Sequence, residues 1–389
     1  MRSNYDVLGN HIRTIDTRNS ELVSDKVLGI NIDKFFMPSV ANVIGTDLSK
    51  YKLITKGKFA CNPMHVGRDE RLPVALFAED TPAIVSPAYF MFEIKDESKL
   101  DPEYLMMWFR RPEFDRICWL RTDGSVRGGI TWEDLCRIEL PVPTMDEQKA
   151  VVNSYKAITD RIALKRQIND NLEAQALALF EEQFASAYSA SDLPEGWRKQ
   201  RLDTICTVKG GKRLPADAEL LDDPTEHPYI RVRDVGASRY VCLTDQFQYI
   251  DDETYQAIAR YIVDTDDIVI SIVGTIGLIG KIHSTLNKAN LTENCVRLTG
   301  VKGVTPDYLY YTLCMKKNNR EIELLTVGAV QAKLPMYNIQ SIDIIIPPDD
   351  LIRRFQDRMD IFNSQIEANS LETQRLEELR NVLLAKISD

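Results

Sequence analysis

The sequence has no apolar run near the roughly 20 residues that a membrane span requires. Its opening, MRSNYDVLGN, lacks the basic-then-apolar layout of a secretory signal. Cysteine is sparse, and Cys61, Cys118, Cys136, Cys206, Cys242, Cys295 and Cys314 never form a C-x-x-C pair. Their odd number and scatter argue against zinc sites and disulfide frameworks, so reduced, mostly buried thiols in a cytoplasmic protein are expected. Histidine is rarer, and His11, His65, His227 and His283 share no metal-ligand spacing with the cysteines. No G-x-x-x-x-G-K-[ST] loop is present, so ATP handling by this chain is not expected. An excess of positive charge is also missing: the net charge is −10. That balance argues against an indiscriminate polyanion binder, because phosphate contacts need Lys and Arg. It leaves room for a protein that reads DNA locally while partners supply much of the backbone grip. Basic residues do gather at Arg198, Lys199, Arg201, Lys209, Lys212 and Arg213, with Asp203 the sole acid among them.

What is present is a repeat. Shifted by 204 positions, residues 101–185 lie on 305–389 without a gap. Pro102-Glu103-Tyr104-Leu105 falls on Pro306-Asp307-Tyr308-Leu309, and Gly124-Ser125-Val126-Arg127 on Gly328-Ala329-Val330-Gln331. Only 15 of the 85 pairs are identical, so the gapless register and the matching element boundaries carry the duplication. Upstream, Gly57 to Asn62 before Gly67 answers Asp266 to Ser271 before Gly274 and Gly277. Each segment is followed by what reads as one apolar strand, Ala83 to Phe92 and Ala289 to Leu298. A period of half the chain is too long for a solenoid and fits two duplicated domains.

Within each unit, Asp267 to Val273 is β-branched and reads as a buried strand, while Pro102 to Phe109 and Pro306 to Cys314 read as short proline-led helices. Strands ending in proline follow, Ile138 to Pro143 and Ile342 to Pro348. Two long helices, Asp146 to about Ala187 and Asp350 to about Ile387, contain neither Pro nor Gly. Val151, Tyr155, Ile158, Ile162, Lys165, Asn169, Leu172, Ala176 and Leu179 lie on a heptad seam in the first. The shifted set is Phe355, Met359, Phe362, Ile366, Asn369, Thr373, Leu376, Arg380 and Leu383. Both seams turn polar at the same central places, and an antiparallel pairing would bring those centres together. Arg380 interrupts the second seam; two independent amphipathic helices are the alternative. Paired helices of on the order of 60 Å would place two globular domains at the ends of a rod with an approximate two-fold axis, as duplex DNA has.

Several apparent catalytic signals dissolve on inspection. Asn62-Pro63-Met64-His65 is near the Asn-Pro-Pro-Tyr type of adenine methyltransferase motif, but Met64 and His65 replace its last two residues and no glycine-rich strand–loop–helix precedes it. Gly274 to Gly280 follows a strand with no clear helix after it, so a tight turn near the DNA, or plain strand packing, explains its glycines. Asp264, Asp266 and Asp267 read as a turn with solvated carboxylates rather than a nuclease centre.

The ordered set of pieces resembles the specificity subunit of type I restriction–modification enzymes. It comprises Pro-Glu-Tyr-Leu and Pro-Asp-Tyr-Leu, the two glycine loops, and Leu140-Pro141-Val142-Pro143 running into Glu147-Gln148. Gly196-Trp197 with Leu202, Lys209-Gly210-Gly211-Lys212 and Ile268 to Gly277 complete it. Leu351-Ile352 departs from Glu147-Gln148, and Tyr5 to Leu8 lacks the tryptophan found at Trp197. The resemblance implies an α/β (α+β) fold: two target-recognition domains separated by two long helices paired as an antiparallel coiled coil, with pseudo-two-fold internal repeat. The expected organisation is recognition domain one at 1–145, spacer helix one at 146–190, recognition domain two at 191–347 and spacer helix two at 348–389. It further implies a non-catalytic subunit that recognises a split, asymmetric double-stranded DNA target and docks two modification (methyltransferase) subunits. Restriction/translocase subunits join the full complex. S-adenosylmethionine, ATP and magnesium would be bound by those partners and none by this chain. An autonomous methyltransferase or nuclease, or a stand-alone DNA-binding regulator, are the competing readings. The expected DNA contacts are Ser125 and Arg127 answered by Gln331 and Lys333, since Arg favours guanine and Gln adenine. Lys209, Lys212 and Arg213 beside two glycines come second, then Arg231 and Arg233 on one face of a strand-like run, then Arg68 and Arg71.

Overall fold

A computed structural model describes residues 4–387, apart from 41–44, 65, 123–127, 191, 237, 245, 316–317, 319, 321, 323 and 329–331 and the side chain of Arg68. The chain divides into two compact units, residues 1–160 with 378–389, and residues 161–377.

In the first unit, β1 (Tyr5–Val7) pairs antiparallel with β10 (Glu139–Pro141). A four-stranded sheet runs β2 (Ile12–Thr14), β9 (Phe90–Ile94), β6 (Phe59–Cys61), β7 (Val74–Leu76). A second runs β4 (Phe36–Pro38), β3 (Val27–Ile30), β8 (Ala83–Val85), β5 (Lys52–Ile54), with β3 and β8 parallel. The second unit repeats this plan. β11 (Arg198–Arg201) pairs with β20 (Asp343–Ile346). The order β12 (Thr207–Gly210), β19 (Cys295–Thr299), β16 (Ile268–Ser271), β17 (Ile279–Ile282) matches β2-β9-β6-β7 and is extended by β14 (Tyr240–Val241). β13 (Pro228–Ile230) and β18 (Asn290–Leu291) are parallel like β3 and β8, with β15 (Gln248–Tyr249) on the outer side of β13. The duplication is therefore one of topology as well as sequence.

The single apolar strands expected at 83–92 and 289–298 are each two strands. A turn at Ser86–Tyr89 separates β8 from β9, and one at Thr292–Cys295 separates β18 from β19. In both units the chain thereby leaves one sheet and enters the other. The duplicated Pro-x-Tyr-Leu motif also has a structural cause. Helix α1 (Pro102–Phe109) starts on Asp101, whose carboxylate accepts the Glu103 and Tyr104 amides. The Tyr104 hydroxyl donates to the Pro141 carbonyl of β10 at 3.3 Å. Shifted by the repeat, the Tyr308 hydroxyl donates to Ile345 of β20 at 2.7 Å. Each tyrosine is fully buried, so its hydroxyl needs that acceptor, and the bond ties helix to strand.

The long helix α2 (Met145–Ser189) opens on a capping box. Glu147 Oε2 accepts from the Thr144 amide at 2.9 Å, and Thr144 Oγ from the Glu147 amide. Next to it Gln148, fully buried, donates to Lys99 and Pro143 carbonyls and accepts the Asp101 amide at 2.8 Å. This locks α2 onto the first unit; Val152 one turn on is apolar and buried. In the second unit α3 is Pro306–Cys314 and α4 is Asp349–Lys386. Ile352 replaces the Gln148 peg and enters an apolar core with Phe180, Phe184, Tyr308 and Phe355. The Glu147-Gln148 to Leu351-Ile352 departure is thus an exchange of a polar peg for packing.

Every expected seam residue of both helices is buried or half-buried, including Arg380. Within the second unit the two helices run antiparallel, with Arg161 on Glu372, Lys165 on Asn369 at 3.0 Å, and Phe180 against Phe355. Asn369 Nδ2 donates to Asn169 Oδ1 at 2.8 Å. The two polar centres meet, as the heptads predict. Within the first unit Leu384 and Ile387 share a core with Val152.

Candidate nucleic-acid interface

In the second unit the sequence-derived candidates collect at one end of the five-stranded sheet. β12 leaves the sheet after Gly210; the Gly211 amide then donates to Cys295 at 3.0 Å and the Lys212 amide to Leu291 at 2.8 Å. A Cβ on Gly211 would sit 2.0 Å from the Thr292 carbonyl oxygen. The glycine is required by protein backbone, not by an approaching phosphate. The effect is to turn Lys212 and Arg213 outward, both exposed, with Lys209 exposed one strand position earlier. Arg213 meets Glu293 at 2.7 Å, Lys199 meets Asp343 at 2.8 Å and Arg201 meets Asp203 at 2.6 Å. The basic run at 198–213 is therefore partly neutralised by its neighbours.

Arg231 and Arg233 do not share a strand face. β13 ends at Ile230, and Val232–Asp234 form a 3-10 turn that Arg231 precedes. The Arg231 guanidinium is tied to both Asp234 oxygens at 3.0 Å and to Gln248, leaving its side chain 13% exposed. It is a folding clamp. Arg233 is 63% exposed, and the Thr292 amide bonded to Ile230 at 3.1 Å holds this turn at the same sheet end.

The glycine-rich segment 274–280 completes the surface. It forms a hairpin between β16 and β17 in which Ser271 Oγ donates to the Thr275 carbonyl at 2.6 Å and accepts the Leu278 amide at 2.9 Å. Gly274 and Gly277 both adopt φ of +82°, which side-chain-bearing residues rarely adopt. Gly280 is needed for strand packing, since its Cβ would come within 2.6 Å of Val241. The hairpin tip, Gly274 and Thr275, is exposed. Lys333, also exposed, exchanges backbone hydrogen bonds with Val327 at 2.9 Å and bridges Val273. Those bonds close the neck of the duplicated loop and pin it to the hairpin.

The first unit uses the same construction. The connection from β6 to β7 receives the loop through Gly67 N to Gly128 O at 3.0 Å and Ile130 N to Pro63 O at 3.1 Å. Gly129 allows this contact, as a Cβ there would lie 2.7 Å from the Pro63 oxygen. Arg68 lies on the short helix Val66–Asp69 in that connection, and Arg71, exposed, meets Asp33 at 3.2 Å. Ser125, Arg127 and Gln331 lie outside the described residues. Asn62 uses its Oδ1 to accept the Met64 amide at 3.2 Å, a turn role. The sequence reading of 274–280 as a tight turn or strand packing fits this hairpin, but it does not join the hairpin to the duplicated loops. The recurrence of a glycine-bearing connection before each loop was the signal that could have joined them.

Other candidate chemistry is absorbed by folding. Asp267 is 5% exposed rather than solvated; it accepts the Asp264 amide and pairs with Arg297 at 3.1 Å. Burial pushes its carboxyl above the usual range. All seven cysteines are free thiols, and burial raises Cys206, Cys242 and Cys295 to about 12. Nucleophilic thiolate chemistry needs the opposite shift. Among the described residues there is no group of three or more metal-ligating side chains and no helix long and apolar enough to cross a membrane.

Each unit carries the same α/β topology, and within the second the long helices pair antiparallel, which defines an internally duplicated α/β class of protein. Residues 194–381 match the family described as type I restriction modification DNA specificity domain. Across 73% of this chain and 68% of the relative, it is 22% identical to the type I restriction enzyme MjaIX specificity subunit of Methanocaldococcus jannaschii. It is 21% identical to the HindI specificity subunit of Haemophilus influenzae, over 98% of this chain and 97% of that one. The fold matches the crystal structure of a type I restriction-modification system S subunit from M. genitalium with a TM-score of 0.51 and 16% identity, covering 99% and 96% of the two chains. Residues 194–381 thus carry a type I restriction modification DNA specificity domain, and the chain along most of its length is similar to specificity subunits of type I restriction enzymes.

Proposed function

We propose that this subunit reads a split, asymmetric duplex target, one segment per unit, and carries no catalytic centre of its own. The observation that supports this is the recurrence of one construction with different residues. Each unit pins a glycine loop to a β-hairpin connection at a sheet end, yet Arg127 in one loop is answered by Gln331 in the other. Arg pairs best with guanine and Gln with adenine, so equivalent positions are suited to different bases. The paired helices then serve as spacer and as the dock for two modification subunits, which supply S-adenosylmethionine chemistry. Restriction/translocase subunits supply ATP and magnesium chemistry, and the complex works in the cytoplasm. Methylome sequencing of cells with and without the gene tests the proposal. Loss of one split, asymmetric motif is expected on deletion; loss of none, with active modification subunits present, overturns it. An autonomous methyltransferase would instead retain methylation when those subunits are removed.

A further inference from the structure

Within the second unit, one buried carboxylate joins the reading domain to the helix pair. Asp307, second residue of α3, is 1% exposed and accepts from four donors on three different parts of the fold. Arg239 comes from the segment before β14, Lys281 from β17 at 2.6 Å, and Gln356 and Asn363 from α4 at 2.9 and 2.7 Å. Arg239 is itself enclosed by the rings of Tyr240, Tyr310 and Tyr311, donates to the Tyr311 hydroxyl at 3.1 Å, and lies 3.8 Å from Glu173 of α2. Burial alone would raise the Asp307 carboxyl, but Arg239 and Lys281 outweigh it and hold the group far below the ordinary range.

Burying two cations and their carboxylates is not an efficient route to stability, since apolar side chains of the same volume do as well or better. Directional hydrogen bonds differ from apolar packing in one respect: they fix register. The positions that answer Asp307, Gln356 and Asn363 in the first unit do not form such an arrangement. Shifted by the repeat, Asp307 becomes Glu103, which pairs with Lys156 on the surface. Gln356 and Asn363 become Val152, buried and apolar, and Thr159, which bonds its own helix backbone. The four-donor arrangement is thus a particular of the second reader.

We infer that Asp307, with Arg239, Lys281, Gln356 and Asn363, forms a positioning lock that sets the register of the second reader on its helices and thereby the place of the second half-site in the target. The inference rests on the split-target reading above.

The test uses the assembled complex with its modification subunits, with methylation mapped by sequencing on a library in which the spacer between half-sites varies by single base pairs. A wild-type complex that shows no split motif fails the split-target reading itself. Given a split motif, Asp307→Asn is expected to lower methylation at the native spacer at least tenfold relative to neighbouring spacers, with first-half-site bases unchanged. The double variant Gln356→Met/Asn363→Leu removes only neutral donors and is expected to shift spacer preference in the same direction. It decides the matter if Asp307→Asn fails to fold. Lys281→Arg, which keeps charge and donors, should retain the native preference. A uniform fall in methylation with unchanged spacer preference, or no change, overturns the lock and assigns these residues to stability alone.

Discussion

At the scale of single residues, exposure and partner decide which basic side chains are available to DNA. Lys333 is exposed beside the hairpin tip, whereas Arg231 spends its guanidinium on Asp234 and Gln248. Lys333→Ala is therefore expected to weaken DNA binding of the complex similarly across sequences and reduce the salt slope by about 1, with an unchanged melting temperature. Arg231→Ala should do the reverse. It strips the Asp234 carboxylate of both guanidinium hydrogen bonds, leaving it the residue-231 amide and Arg233 at 3.8 Å, at about 1–3 kcal/mol, and its signature is a lower melting temperature before any change in salt slope. Thermal melts and salt titrations on the same two variants check both; interchanged outcomes would reverse the two assignments. Arg127→Ala should cost about 1–3 kcal/mol of binding and relax the target at one base position, read out by methylation mapping. Unchanged affinity and motif remove it from the interface.

At the scale of elements, what was legible followed periodicity and punctuation. The long helices were predicted within a few residues, because apolar spacing of three and four without Pro or Gly admits little else. The proline-led helices were equally plain. The sheet crossings were not: β8, β9, β18 and β19 are two to five residues long, and a turn inside an apolar run changes which sheet a strand joins without altering its composition. Arg231 was illegible for another reason, since Gln248 is distant in sequence and its meeting with Arg231 is a tertiary event. The polar centre of the helix pair was legible and is testable. In the pair Asn169→Leu/Asn369→Leu, Lys165 keeps Glu372 at 2.8 Å, so no charge is stranded. Apolar seams stabilise while polar ones fix register. The double variant should raise the melting temperature of the second unit by about 2–4 °C per kcal/mol gained, yet show faster amide exchange along 161–177 as the seam loses its pin. A lower melting temperature would show that the asparagines contribute stability as well as register.

At the scale of the whole molecule, charge constrains how recognition can work. With a net charge of −10, and with Arg213, Lys199 and Arg201 each paired to a nearby acid, this subunit offers the phosphate backbone less positive charge than its basic run suggests. Base readout needs only a few side chains, but affinity at physiological salt comes largely from displaced counterions. The two tasks are therefore expected to be divided, with this chain choosing the sequence and its modification partners holding the duplex. The isolated subunit should bind its target weakly with a shallow salt dependence. Adding modification subunits should tighten binding and steepen the slope of log K against log salt by about 0.9 for each phosphate newly contacted, while leaving the preferred sequence unchanged. Titrations at two salt concentrations, with and without partners, measure the slope directly. An isolated subunit that already shows the full slope would mean that the grip lies in this chain, through surfaces other than the sheet ends described above.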